Sequence, residues 1–147
     1  SFGITIVGNA VAQAMRSGID NIYGYALSSN SLNQQTIETA MQGEFKWFLI
    51  FTVCVFGPII EELVFRKVIF ALFKVNWPGV IISTIVFAAI HVVKEPSFAL
   101  FSYNVFAYLV GGLAFSLVYV YSKRNVVVTS VLHMLHNTLA VLLFFLS

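Results

Sequence analysis

Two adjacent carboxylates, three histidines and an asparagine carry the chemistry this sequence can do. Glu61 and Glu62 lie side by side in Pro58-Ile-Ile-Glu61-Glu62-Leu-Val-Phe-Arg66, within an apolar run over residues 45–75. On a helix, Glu62 and Arg66 are four apart and share a face, where they can neutralise each other. Glu61 is rotated by about 100° from Glu62 and has no basic residue three or four positions downstream. A carboxylate at the centre of a membrane helix costs roughly 2.5–3.5 kcal/mol on insertion scales, so an unmatched one marks function. His91, His133 and His136 also fall in apolar segments, and Asn137 follows His133 by four residues on the same helical face. A buried acid with imidazoles can act on water as a base, relay protons across a membrane, or ligate zinc.

The elements that must position these groups are membrane helices. The 147 residues suit one domain, yet 59% are hydrophobic, 15 are Phe, and only 10% are charged, against about 25% charged in soluble domains. Mean hydropathy is +0.91. The fold class is therefore all-α, a polytopic membrane bundle in contact with the lipid bilayer. A net charge of +2, with the basic residues scattered, argues against a nucleic-acid partner. A single cysteine, Cys54, excludes an internal disulfide framework and a cysteine zinc cluster. In its apolar run it reads as an inert buried thiol. The chain opens on Ser1 with no basic segment and cleavage site of a signal peptide, and reads as a fragment of a longer chain.

Residues 1–44 form an N-terminal helix and a polar connector; residues 45–147 form a core of four transmembrane segments. Residues 2–15 show helical periodicity but are short of the roughly 20 that span a bilayer. Gly18, Asp20, Asn21, Gly24 and residues 28–31 punctuate a loop, after which Ser31 can cap a short helix reaching Met41. The four apolar segments are residues 45–75, 78–93, 97–121 and 126–146. As a continuous helix the first would be about 46 Å long, more than the ~30 Å hydrocarbon core. Pro58 removes a donor and crowds the carbonyl of Cys54, so a kink or two half-length helices are expected at the carboxylates. Trp77-Pro78-Gly79 reads as a turn, with Pro78 at the first helical position. Ala107, Gly111, Gly112 and Ser116 set small residues at four-residue spacing, which relieves crowding between membrane helices.

Counted at about 1.5 Å per residue from one end of the bundle, Glu61, His91 and Asn137 fall at ~18–20 Å and His133 at ~12 Å. Three helices thus bring polar groups to similar depths. Singly, each has a structural reading. A membrane histidine such as His91 can be an interhelical hydrogen-bonding group. His136 is offset from the His133 and Asn137 face, Phe87 packs beside His91, and Glu62 with Arg66 can hold the kinked helix.

Taken together, Glu61-Glu62-x-x-x-Arg66, Phe87-x-x-x-His91 and His133-x-x-x-Asn137, in order on successive apolar segments, resemble the CAAX protease and bacteriocin-processing (CPBP, or Abi) family of intramembrane proteases. The likeness covers about residues 45–146 and includes Pro58 and the Gly111/Gly112 helix. It implies an intramembrane endopeptidase acting on a membrane-associated peptide or protein. By the same resemblance Glu61 and His91 activate a water, His133 and Asn137 bind the oxyanion, and Glu62, Arg66 and Phe87 support them. No cofactor is then needed. The alternative within the enzyme class is zinc on Glu61, His91 and His133, although no His-Glu-x-x-His helix is present. The alternative outside it is a component of a proton-coupled transporter, which predicts inverted repeats; the two halves show no such similarity. The compact loops fit a multi-pass protein of a bacterial plasma membrane.

Overall fold

The computed structural model describes residues 31–146, together with Gln13, Ala14, Ser17, Gly18 and residues 20–22. Apart from Gln13 and Ala14, which are helical, the helix expected over residues 2–15 lies outside the described residues. Ser17, Gly18 and residues 20–22 are helical where a loop was expected. Ser17 Oγ donates to the Gln13 carbonyl at 3.1 Å, so its hydroxyl bonds within the helix instead of diverting the backbone into a turn.

Among the described residues five helices follow, with no strand: α1 (Leu32–Ala40), α2 (Lys46–Ala71), α3 (Asn76–Val92), α4 (Phe98–Tyr121) and α5 (Val126–Leu146). Helices α2, α4 and α5 are long and apolar enough to cross a membrane. Helix α3, with 17 residues, is at the lower end of the roughly 17–25 that suffice. The molecule is a helical membrane bundle.

Helix α2 neither breaks nor divides at Pro58. It runs on through two wide π turns, Thr52–Phe56 and Leu63–Val68, which flank the α-helical turn Gly57–Glu62. In the first, Gly57 N–H reaches back to the Thr52 carbonyl, five residues instead of four. This register assigns the next bond to Pro58, which has no N–H, so the orphaned acceptor is the Val53 carbonyl and not that of Cys54. A bulge of this kind absorbs a proline without a break.

Helix α3 starts at Asn76, so Trp77, Pro78 and Gly79 form its first turn instead of a separate one. Pro78 is its third residue, which is tolerated because first-turn N–H groups lack intrahelical partners. Gly79 is a close approach: a Cβ there would lie 2.8 Å from Cδ1 of the fully buried Phe70. The turn from α4 to α5 puts Lys123 and Arg124 in the left-handed region, at φ 59° and 60°. Arg124 holds it by donating from Nε and Nη2 to Asn76 Oδ1 (3.0 and 2.9 Å) and from Nη2 to the Phe73 carbonyl (3.3 Å). One side chain thereby fastens the end of α2, the start of α3 and the α4–α5 turn.

Ser31 caps α1 as expected, accepting from Gln34 N–H. At its far end Met41 is buried against Cys54 of α2 and Val141 of α5, which places the free thiol in apolar packing. Helices α3 and α4 pack closely through Gly112, where a Cβ would lie 3.1 Å from Phe87 Cδ1 and 3.2 Å from the Thr84 carbonyl. One turn on, Ser116 and Ser83 hydroxyls meet at 3.4 Å. Gly111, by contrast, faces open space.

Candidate active site

The α-helical turn between the two π turns presents Glu61 and Glu62 in different directions. Glu62 points into the bundle, where it and Arg66 are both 0% exposed, with Glu62 Oε2 3.2 Å from Arg66 Nε. The contact is ionic, outside hydrogen-bonding angles. Arg66 is held further by donating from Nη2 to the Gly112 carbonyl at 3.1 Å. The rings of Phe87 (5.0 Å), Phe115 (5.6 Å) and Phe65 (5.8 Å) surround its guanidinium, an arrangement that attracts a cation electrostatically. The other Glu62 oxygen, Oε1, accepts from His133 Nδ1 at 2.9 Å. Glu62 therefore ties α2 to α5 as well as to its own next turn, a contact that helical spacing alone does not reveal.

Glu61, about 100° round the helix, is turned away from Arg66 and is 28% exposed. Its Oε2 is 3.8 Å from His91 Nε2 and 3.9 Å from His133 Nε2. That oxygen is buried and has no hydrogen-bond partner among the described residues. Both separations exceed direct hydrogen-bonding range and suit a bridging water. Three helices thus deliver an acid and two imidazoles to one point, as the depth count anticipated.

The two histidines are held differently. His91 Nδ1 donates to the Phe87 carbonyl at 2.7 Å. A carbonyl only accepts, so the neutral ring carries its lone pair on Nε2, toward Glu61. The Phe87 ring lies against that imidazole (4.4 Å between centroids) and meets Phe65 edge-on at 5.2 Å, so Phe87 packs as expected while its carbonyl sets the tautomer. His133 instead faces a carboxylate from each nitrogen, Glu62 at Nδ1 and Glu61 at Nε2. It is stacked on Phe115 at 4.3 Å. When both nitrogens are protonated, the Nε2–H is free to donate forward.

Asn137, one turn beyond His133, donates from Nδ2 to the orphaned Val53 carbonyl at 2.9 Å. The amide nitrogen has a second hydrogen, so this bond orients the group without exhausting it. His136 is outside the Glu61, His91 and His133 cluster; it is exposed and meets Phe115 edge-on at 6.0 Å. Glu61 and His91 line a cleft of about 340 Å³ with Asn33 of α1 and the apolar Ile60, Val64, Phe65 and Ile90. Ile60, Val64 and Ile90 are exposed, so the cleft opens between α2 and α3 on an apolar side.

The contacts of Phe115, Tyr108 and the Gly112 carbonyl were not readable from sequence. The small-residue spacing on α4 was the one signal pointing there.

Residues 43–139 match the model of the family described as type II CAAX prenyl endopeptidase, Rce1-like. Over 98 residues the chain is 40% identical to the membrane-embedded CAAX protease MroQ of Staphylococcus aureus (strain USA300), covering 63% of this chain and 38% of that protein. Over 100 residues it is 31% identical to an uncharacterized protein of Mycoplasma capricolum subsp. capricolum, covering 68% of this chain and 28% of the relative. The chain thus matches well under half the length of these curated relatives. No solved structure matches it.

Proposed function

The chain belongs to the Rce1-like family of type II CAAX prenyl endopeptidases, and from that premise we propose that it is an intramembrane endopeptidase hydrolysing a peptide bond of a membrane-associated peptide or protein. The observation that carries this reading is the position of Glu61 Oε2, with His91 Nε2 at 3.8 Å and His133 Nε2 at 3.9 Å.

A water held between Glu61 and His91 gives up a proton to this pair as it attacks the scissile carbonyl. The His91 tautomer fits the task, since its bare Nε2 faces the acid. Peptide hydrolysis needs such a base working near neutral pH. The carbonyl becomes a tetrahedral oxyanion, which needs preorganised donors. With a proton on each nitrogen, His133 donates Nε2–H to it, and Asn137 donates its second amide hydrogen. Glu62 and Arg66 keep His133 in place without touching substrate. Collapse of the intermediate returns the abstracted proton to the leaving amine. The apolar walls of the cleft suit a hydrophobic segment entering from the lipid.

A zinc ion on Glu61, His91 and His133 is the competing chemistry. No His-Glu-x-x-His helix is present, and Asn137 is an oxyanion donor of little use to zinc. The glutamate-dependent mechanism is therefore the one proposed.

The test is cleavage of a prenylated CAAX peptide and of a hydrophobic membrane-spanning peptide in proteoliposomes, with Glu61→Gln, His91→Ala and His133→Ala variants. Loss in each correctly inserted variant is expected, and unchanged cleavage in all three overturns the residue roles. Treatment with a tight chelator should leave the rate intact; a loss restored by zinc would replace the glutamate mechanism with the metal one.

A further inference from the structure

Helix α4 contributes no acid or base to the cluster, yet one of its faces touches His133, Arg66 and His91. Phe115 stacks on His133, the Gly112 carbonyl accepts from Arg66, and Tyr108 stacks on His91 with centroids 4.7 Å apart and planes 26° apart. These positions lie three or four apart and so share a helix face. Tyr108 differs from the other two because it also reaches outward. Its hydroxyl shares a 2.7 Å hydrogen bond with Ser31 Oγ, the residue that caps α1.

The His91 imidazole is thereby flanked by two rings, Phe87 at 4.4 Å and Tyr108 at 4.7 Å. Its single Nδ1 hydrogen bond leaves rotation about that bond to be restrained by packing, which the flanking rings supply. Next to Ser31, a second set of contacts holds the same helix start. Leu32 N–H donates to Glu95 Oε1 at 2.9 Å, and Asn104 Nδ2 donates to that same oxygen at 3.3 Å. The start of α1 is thus pinned to the α3–α4 connection, while Met41 pins its end to α2 and α5. Held this way, α1 sets Asn33 into the wall of the cleft beside Glu61 and His91.

We propose that Tyr108 is a positioning residue with two ends: its ring fixes the His91 imidazole in the plane that aims Nε2 at Glu61, and its hydroxyl fastens α1 as a wall of the cleft through Ser31. The proposal rests on the reading of His91 as part of the water-activating pair. The ring acts on turnover, because misplacing a base lowers the rate of the chemical step. The hydroxyl acts on substrate engagement, because it orders a wall and not a reacting group.

The two ends are separable by substitution. Tyr108→Phe keeps the ring and removes the hydroxyl, Ser31→Ala removes the other half of the same bond together with the α1 cap, and Tyr108→Leu removes the ring. The first measurement is ring ¹⁵N NMR on protein labelled at histidine, in detergent micelles. With three histidines in the chain, His91 is assigned by its loss in His91→Gln. The parent and Tyr108→Phe should show His91 in one tautomer, protonated on Nδ1, and Tyr108→Leu should show exchange-averaged shifts. Unchanged His91 shifts in a folded Tyr108→Leu protein overturn the ring's role.

The second measurement is hydrogen exchange of the α1 amides. Tyr108→Phe should speed exchange by about three- to tenfold, the opening expected from one lost hydrogen bond, and Ser31→Ala, which also removes the cap on Gln34 N–H, by more. The double variant should exchange no faster than Ser31→Ala alone, because that substitution has already removed the bond to Tyr108. Unchanged exchange, or additive effects, overturns the tether, and these variants keep the test decisive if Tyr108→Leu does not fold. Neither readout needs cleavage, so a protein that cuts no peptide sinks the protease reading without deciding this one. Where the prenylated CAAX peptide is cleaved, Tyr108→Phe should raise KM with kcat retained, and Tyr108→Leu should lower kcat by roughly ten- to a hundredfold. The reverse split overturns the assignment of the two ends.

Discussion

His133 Nδ1 stands 2.9 Å from Glu62 Oε1, and this contact divides the labour between the two neighbouring acids. Glu62 is fully buried and engaged with both Arg66 and His133, so its charge belongs to the framework. Glu61, rotated away and partly exposed, keeps an oxygen free of hydrogen bonds among the described residues. Adjacent residues on one helix thus meet an interior and a cleft, which is what a 100° step between consecutive side chains produces.

Replacing Glu62 by Gln should therefore act first on stability. It leaves Arg66 buried without a counter-charge, and removing one partner of a buried pair costs about 3–5 kcal/mol. Thermal unfolding in detergent should show a large fall in Tm. A normal Tm with abolished cleavage would reverse the roles given to the two acids.

Glu61→Gln should do the opposite. The amide fits the same space and no ion pair at hydrogen-bonding distance is lost, so insertion and Tm should stay near those of the parent. The rate should fall by about 10²–10⁴-fold, the usual contribution of a general base. Cleavage within a factor of a few of the parent would show that Glu61 is not the base.

Much of this was legible in the sequence because the period of a helix fixes it. The Glu62 and Arg66 pair and the shared face of His133 and Asn137 follow from about 3.6 residues per turn, the similar depths of Glu61 and His91 from the ~1.5 Å rise, and the Ser31 cap from its hydroxyl. What spacing cannot supply is the azimuth of one helix against another. The Glu62–His133 bond and the Tyr108 and Phe115 stacks depend on that angle, so they appear only in three dimensions. The response to Pro58 was also out of reach. A π turn takes up the missing donor, and the stranded carbonyl needs a hydrogen bond from another helix, which Asn137 supplies.

The neighbouring glycines of α4 give a paired test of packing. At Gly112 an added methyl would meet Phe87 and the Thr84 backbone at 3.1–3.3 Å, whereas at Gly111 it would meet nothing within 4 Å. Gly112→Ala should cost about 1–3 kcal/mol, as overpacking usually does, and should loosen Arg66 by moving the carbonyl it donates to. Gly111→Ala should be neutral or slightly stabilising, since alanine restricts the unfolded chain. Equal effects at the two positions would mean that α3 and α4 do not approach through Gly112.

The link between Pro58 and Asn137 can be tested by giving the backbone back its donor. Asn137→Ala strands the Val53 carbonyl, at about 1–3 kcal/mol for an unsatisfied buried group. It also removes an oxyanion donor, worth roughly 10²–10³ in kcat. Pro58→Ala restores an N–H at the position from which the π register would reach Val53, because Gly57 already reaches Thr52. Adding Pro58→Ala to Asn137→Ala should therefore recover part of the lost Tm, since the helix can now satisfy its own carbonyl. It should recover none of the lost kcat, since no hydrogen returns to the oxyanion site. Recovery of both would assign Asn137 a purely structural place, and recovery of neither would mean that Val53 is not the acceptor the proline leaves stranded.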